Sequence, residues 1–405
     1  MLSGMDDDDA LLRLHHAAGP SGWLRRLLDH AASEAAATPA LAAWSAGDAA
    51  WAAAGAPAGA RALAMGPAAA SASRRARQWR DGGPGRQIIG WASPLYPGQL
   101  AASPAPPGLL YAEGRAERLW WPQIAIVGSR APTPAGRERA GRWAAAFAGA
   151  GFVVTSGLAA GIDAAAHGAC LAAPGSIAVI GTGPDACFPA GHARLKAAIA
   201  VEGCVLSEYP PGTPARAGHF PARNRIIAGL ALATVVVEAA QRSGALITAR
   251  LAAEAGREVF ALPGAPENPK AQGCHRLIRD GATLADSPEQ VVEALAGAAA
   301  RVAPALRARL DATAATAGPP GHPGPEPAPA PASLPAEHAA VLAALGHEGA
   351  GFDELLARSG LTGATLAPIL SAMELEGRLM QQHGVYHPCG SAYPTGADAR
   401  RRRMG

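Results

Sequence analysis

Several short stretches of this 405-residue chain combine small residues with groups able to hold an anion. Gly128-Ser129-Arg130 joins a turn of little bulk to a hydroxyl and a guanidinium, and arginine can grip a phosphate with two hydrogen bonds. Ser156-Gly157-Leu158-Ala159-Ala160-Gly161-Ile162-Asp163 spaces glycines ahead of a helix, as backbone anion sites require. Asp163 and His167 stand four apart and share a helix face. They read either as a catalytic pair or as a capping carboxylate beside a hydrogen-bonded histidine. Gly181 and Gly183 precede Phe188-Pro189 and His192. An aromatic ring beside a glycine loop can stack on a base, and it can equally be a packing residue. His219-Phe220-Pro221-Ala222-Arg223-Asn224-Arg225 places two arginines around an asparagine. Their projections differ, so at least one is expected to reach phosphate, while the other is open to a buried structural role. Glu238 and Ser243-Gly244 put an acceptor and a small turn together.

These residues need strand ends to present them. Short apolar runs at 124–127, 152–155, 177–180, 205–206, 234–237 and 259–262 end in Gly, Ser, Glu or Pro and alternate with helical stretches, such as 134–148 and 162–171. Continuous apolar strands alternating with amphipathic helices predict a parallel sheet covered on both faces. The expected fold class is α/β, a Rossmann-like doubly wound core. Ligands of such sheets bind outside the carboxyl ends of the strands, where the stretches above fall.

The flanks differ in texture. Residues 1–9 read as a disordered acidic tail, and 10–80 as a small helical domain. Within it, Gly19-Pro20-Ser21-Gly22 breaks two helices into a hairpin that can offer N–H groups to phosphate. Residues 71–120 read as loop-rich, with Arg74, Arg75, Arg77 and Arg80 on a solvated face. The prolines between 91 and 110 impose an extended lead-in to the core domain, 81–300. Residues 301–335, rich in Pro, Ala and Gly, read as a linker. Residues 336–390 place two helices around Ser359-Gly360-Leu361, then a third helix and a hairpin, the pattern of a winged helix. Residues 391–405 form a basic tail.

Composition narrows the function classes. Apolar residues make up 49% and charged residues 17%, enough to bury a sizeable core. A net charge of +3 permits an anionic partner without demanding one. The five cysteines form no C-x-x-C pair, which argues against a zinc site or disulfide framework and fits a reducing cytoplasm. The longest apolar run, 226–237, falls short of the ~20 residues of a membrane span. There is no G-K-[ST] loop and no metal-ligand cluster, so neither catalytic residues nor a cofactor are expected.

In this order, the blocks resemble the DNA-processing protein A family, also called Smf. The matching residues include Ile126-Val127-Gly128-Ser129-Arg130, Ser156 through Asp163, Leu206-Ser207-Glu208-Tyr209-Pro210, and Phe220 through Ile227. Val237-Glu238-Ala239, Ser243 through Ala249 and Gly256 through Gly264 complete the set. The resemblance covers roughly 85–290. It implies a non-enzymatic protein of natural transformation that binds incoming single-stranded DNA and loads the RecA recombinase. It also implies a homodimer through the Rossmann domain and a basic pocket that includes Arg130, Phe188, Arg223 and Arg225. A basic residue often follows the aromatic-Pro step in the family; here Ala190 stands there, with His192 or Arg194 available to compensate. With the glycine turns, the expected DNA-binding set is Gly128, Ser129, Arg130, Ser156, Gly157, Gly161, Gly181, Gly183, Phe188, His192, Arg223, Asn224, Arg225, Ser243 and Gly244.

Two other readings use the same elements. A phosphoribohydrolase-like nucleotide enzyme would carry P-G-G-x-G-T, but 237–244 lacks that glycine run. A transcriptional regulator would read duplex DNA through the winged helix and sense a metabolite in the α/β domain. Preference for single-stranded or duplex DNA separates it from the favoured reading.

Overall fold

The computed structural model describes residues 5–20, 22–34, 37–171, 175–316, 341, 344–345, 350–375, 379–382 and 385–388. These belong to two units, one ending at Thr316 and one beginning at Ala317.

The first unit is built on one sheet. Its strands are β1 (Arg86–Gly90), β2 (Leu109–Gly114), β3 (Gln123–Val127), β4 (Val153–Ser156), β5 (Ser176–Ile180), β6 (Cys204–Ser207), β7 (Ala233–Val236), β8 (Glu258–Ala261) and β9 (Thr283–Leu284). They lie in the order β1-β2-β6-β5-β4-β3-β7-β8-β9. From β6 to β9 all neighbours are parallel; β1 and β2 join antiparallel at one edge. Every residue of β3 to β7 is buried, as a sheet covered on both faces requires. The chain builds outward from β3 through β4, β5 and β6, then returns to lay β7 on the other side of β3. Strand order therefore reverses between β3 and β7, and the crevice outside their carboxyl ends is where such sheets take ligands.

Alternate residues of each strand feed opposite cores. Ala125 and Val127 pack with Val179, Leu206, Ile227 and Ala249 on one face. Ile124 and Ile126 pack with Trp143, Phe147 and Val154 on the other. The same period gives β2 two partners. Leu110 and Ala112 enter the sheet core, whereas Leu109 and Tyr111 enter the core of the helical region, beside Leu14, Leu27 and Trp79. That region comprises α1 (Asp7–Ala18), α2 (Trp23–Glu34), α3 (Pro39–Ser45), α4 (Asp48–Ala53), α5 (Ala60–Met65) and α6 (Pro67–Asp81). A short α7 (Gly98–Ala101) lies between β1 and β2. The helices after β3 are α8 (Pro134–Gly149), α9 (Ile162–Ala169), α10 (Ala193–Glu202), α11 (His219–Leu230), α12 (Ala245–Glu254), α13 (Gln272–Arg279) and α14 (Pro288–Thr316).

The second unit has helices Phe352–Ser359 and Gly363–Leu375 separated by Gly360 in the left-handed region, φ 69°. Ala350–Gly351, Leu379–Gln382 and Val385–Pro388 form its three-stranded antiparallel sheet. The protein is thus a Rossmann-like α/β core with a helical N-terminal region and a C-terminal winged helix.

Some segments depart from expectation. The acidic run is not a loose tail. Asp6 caps α1 by accepting the Asp9 N–H at 2.8 Å, and Asp7 to Asp9 form the first turn, where the helix dipole favours negative charge. Asp6 and Asp8 pair with Arg77 and Arg80. Those arginines lie on α6 instead of a loop, and 86–90 and 109–114 are sheet strands. Residues 301–316 continue α14 through Pro304; the remainder of the expected linker, and the basic tail 391–405, lie outside the described residues.

Candidate nucleic-acid interface

Where strand order reverses, backbone bonds tie the loops together. Val237 N–H donates to Val127 O at 3.1 Å, and Ser129 N–H donates to Glu238 O at 2.7 Å. The Glu238 carboxylate accepts from Thr133 N–H at 2.9 Å and Thr133 Oγ1–H at 2.5 Å, and Thr133 Oγ1 caps α8. It is occupied in holding the loop that carries Arg130. Gly161 supports the same loop from behind. Its φ is 84°, Ile162 N–H donates to Ser129 O at 3.1 Å, and a Cβ on Gly161 would stand 2.3 Å from that oxygen.

The result is a crevice of about 540 Å³. Gly128, Ser129, Arg130, Arg223, Asn224, Ser243 and Gly244 line it, all from the expected set. Phe220, Arg242 and Thr248 line it too and were not nominated. Arg130 and Arg242 are exposed. The Arg130 guanidinium stands 5.9 Å from the centre of the Phe220 ring, within cation–π range. Phe188, 49% exposed, lies 5.2 Å ring to ring from Phe220. It extends the aromatic surface beyond the crevice. The first turns of α11 and α12 open here, bringing the positive ends of two helices to the cationic side chains.

The remaining expected residues build the support. Arg223 is 4% exposed and donates to Gly157 O at 2.6 Å and to Val179 O. Gly157 is required for this, since its Cβ would lie 2.6 Å from the guanidinium. Burial brings the Arg223 pKa down to about 10, against the pull of the Asp163 charge, so it stays cationic at neutral pH beneath the crevice. Asp163 accepts from Gly157 N–H at 3.1 Å and Ala159 N–H at 3.3 Å; burial raises its carboxyl, and the Arg223 charge opposes. Ser156 donates to Ile126 O at 2.6 Å. Gly181 O accepts from His219 Nδ1–H, and Gly183 N–H donates to Thr213 O. His192 Nδ1–H donates to Leu158 O at 3.0 Å, and through it the half-buried ring holds that loop. Arg225 is spent on Glu208, a carboxylate only 3% exposed, and on Ala222 O. Of the two arginines around Asn224, Arg223 lines the crevice with one terminal nitrogen held by two carbonyls and its Nε without a hydrogen-bond partner among the described residues, whereas Arg225 does not line it and pairs with the buried Glu208.

The Asp163–His167 question resolves geometrically. Ser176 Oγ–H donates to Val154 O, so it accepts from His167 Nδ1–H at 2.7 Å. His167 Nε2 then accepts from Leu158 N–H at 3.3 Å. Burial first, then the Arg223 charge, lower its pKa to about 3. It is a neutral, fully committed histidine. Asp163 is not the helix cap, since Gly161 holds that position without a side-chain bond; it sits in the first turn and holds the preceding loop.

Both overlooked ring and cation had a signal. Phe220 stands three residues before Arg223 of the Arg-Asn-Arg triplet, at a helix start. Arg242-Ser243-Gly244 repeats the residue types of Gly128-Ser129-Arg130 in reverse order at the neighbouring strand end. A second cavity, about 730 Å³, shares Arg242 to Gly244 but has apolar walls from Leu246, Val259 and Leu277. The smaller crevice holds the converging charges and rings. Among the described residues, no cluster suited to a metal ion occurs, and no helix is long and apolar enough to cross a membrane.

Comparison with known proteins bears on the same residues. The family model for DNA recombination-mediator protein A matches residues 87–296, and that for the DprA winged helix domain matches 325–385. Protein Smf of Escherichia coli is 48% identical over 215 residues, covering 52% of this chain and 57% of that protein. Protein Smf of Synechocystis is similarly matched over 52% of its length, so the match spans little more than half of these two relatives. The putative DNA processing protein DprA of Mycobacterium tuberculosis is 37% identical over 283 residues, 68% of each chain. The X-ray structure of DNA processing protein A from Streptococcus pneumoniae superposes with a TM-score of 0.59 at 33% identity, covering 71% of this chain and 97% of that one. The crevice residues from Gly128 to Gly244 all fall within the matched family region, and on that footing the chain belongs to the DNA recombination-mediator protein A family.

Proposed function

We propose that this protein binds single-stranded DNA in the crevice outside β3 and β7 and passes it to the RecA recombinase in the cytoplasm, as part of DNA uptake and natural transformation. The observation that carries the reading is Arg130, an exposed cation set against the Phe220 ring, with Phe188 as a second ring beyond it. Sequence-tolerant binders of single strands combine cations along the backbone with aromatic platforms for bases. Arg130, Arg242 and the ends of α11 and α12 meet phosphates; Phe220 and Phe188 meet bases. Family membership supports the recombination-mediator role. A homodimer through the Rossmann domain belongs to the same reading. The apolar cavity by Leu246 and Leu277 and the edge strand β9, with Leu284 45% exposed, support it.

The test compares single-stranded and duplex oligonucleotides in a gel-shift titration, with a nucleotide-hydrolysis assay alongside. Preference for the single strand regardless of base order is expected, without turnover. Preference for a particular duplex would favour a regulator, and hydrolysis would favour a nucleotide-processing enzyme.

A further inference from the structure

Helix α6 carries four arginines with unequal partners. Arg77 pairs with Asp6, and Arg80 with Asp8 and Asp81. Arg75 has no carboxylate partner among the described residues; its Nη1 donates to the Ser71 hydroxyl at 3.0 Å. Its Nε lies 4.0 Å from the place a Cβ would occupy on Gly212. The helical region therefore sets an unneutralised cation against the loop before α11.

That loop is anchored to the rim of the crevice. Gly212 N–H donates to both oxygens of Asp185 at 2.9 Å, which occupies that carboxylate. Thr213 O accepts from Gly183 N–H at 2.9 Å, in the segment leading to Phe188. Further on, Arg216 O accepts from His219 N–H at 3.0 Å, and the exposed Arg216 side chain has no ion-pair partner among the described residues. His219 stacks on Tyr209, ring centres 3.9 Å apart, and Phe220 follows. From Arg130 and Phe220 the chain thus offers Arg216 and then, across Gly212, Arg75.

We propose that Arg216 and Arg75 form a second cationic track, along which a single strand leaving the crevice runs over loop 211–219 onto the helical domain. The proposal rests on the crevice reading above. Exposed cations following an aromatic rim fit the phosphates of a flexible strand, which can bend from one element to the next.

The experiment uses the full chain, its Arg75→Ala/Arg216→Ala variant and its Arg130→Ala variant. Each is titrated with oligo-dT of about six and about twenty nucleotides, lengths that bracket a single-strand site. Both track arginines are exposed, so the fold survives their loss. The double variant should bind the short oligonucleotide normally. It should bind the long one roughly threefold to fivefold more weakly per arginine, the scale of exposed ion pairs. The log–log salt slope for the long strand should fall by about 0.7 per lost phosphate contact. Unchanged affinity for the long strand overturns the track; that is also the result if the row serves an acidic protein instead. An equal loss for both lengths overturns it as well, since the arginines would then be acting on the crevice itself. Arg130→Ala should weaken both lengths, and its failure to do so would sink the crevice reading separately.

Discussion

The loop after β3 and the first turns of α11 both bring arginine to one crevice, and they use it in opposite ways. Arg130 leaves its charge in solvent above a phenyl ring. Arg223 and Arg225 turn theirs inward, one to the carbonyls of Gly157 and Val179, the other to the buried Glu208. A guanidinium already bonded to protein has fewer donors left for a phosphate, although the Nε of Arg223 has no hydrogen-bond partner among the described residues and the residue lines the crevice. The exposed one has paid no desolvation penalty and keeps its donors free. Arginine in a glycine-rich neighbourhood is therefore insufficient as a sign of anion binding; the partner each arginine already holds decides.

The largest test of this contrast is Arg223→Met. Removing the cation strands two carbonyls and leaves Asp163 without a nearby opposite charge. Breaking a buried charge arrangement costs about 3–5 kcal/mol. Urea denaturation should show that loss directly, and any DNA defect should track the unfolded fraction. A stable variant with selectively lost binding would make Arg223 a ligand contact after all. Arg130→Ala should do the reverse. A charge-assisted phosphate contact is worth about 1.5–3 kcal/mol, or roughly ten- to hundred-fold in affinity. The melting curve should not move, and unchanged affinity would remove Arg130 from the interface.

Acid sharpens the contrast from the buried side. His167 has a folded pKa of about 3, well below its ordinary 6.5. Above pH 6.5 both folded and unfolded forms are neutral and the stability is complete. As pH falls below 6.5 the unfolded chain takes a proton that the folded one refuses, and stability declines until about pH 3. Between pH 6.5 and 5 that is about 2 kcal/mol, at 1.36 kcal/mol per unit. Burial lowers His15 in the same direction. The raised Asp163 carboxyl works the other way while it titrates. The His167 share is read as the slope lost in His167→Gln, by denaturation midpoints across that range. An unchanged slope would mean that His167 titrates normally. The smallest expected effect comes from a chain ending at Thr316. The crevice residues all precede that point, so single-strand affinity should stay within about twofold, well under the 1.4 kcal/mol of a tenfold change. Loss of most of the affinity from a folded truncation would move the DNA site to the winged helix.

Much of this architecture was legible because it is local. Apolar runs too short for helices, each closed by Gly, Ser, Glu or Pro, marked β3 to β8 and the ends that carry Gly128, Glu238 and Ser243. What escaped was set by distant partners. The acidic run at Asp6 is a stable helix start because Arg77 and Arg80, far along the chain, meet it. The prolines near 97 and 104 concealed two strands, since β1 and β2 pair on either side of them. Pro304 hid the continuation of α14, whose alanines favour helix on both sides. Burial of Arg223 depends on the absence of a side chain at Gly157, sixty-six positions away, and neither residue announces it alone.

The alternation along β2 carries a thermodynamic consequence. Leu109 and Tyr111 belong to the helical core while Leu110 and Ala112 belong to the sheet core, and Ile88 and Ile89 of β1 divide the same way. A hairpin that supplies both cores cannot be withdrawn from one without emptying the other. A shift of β2 by a single residue would exchange the two sets of side chains, so its register is held from both faces at once. The helical region and the α/β sheet should consequently melt as one cooperative unit, with a single tryptophan-fluorescence transition, to which Trp23, Trp44, Trp51 and Trp79 of the helical core and Trp120 and Trp143 of the sheet cores contribute, coincident with that by far-ultraviolet dichroism. On this view the N-terminal helices are less an appended domain than a third layer of the same fold.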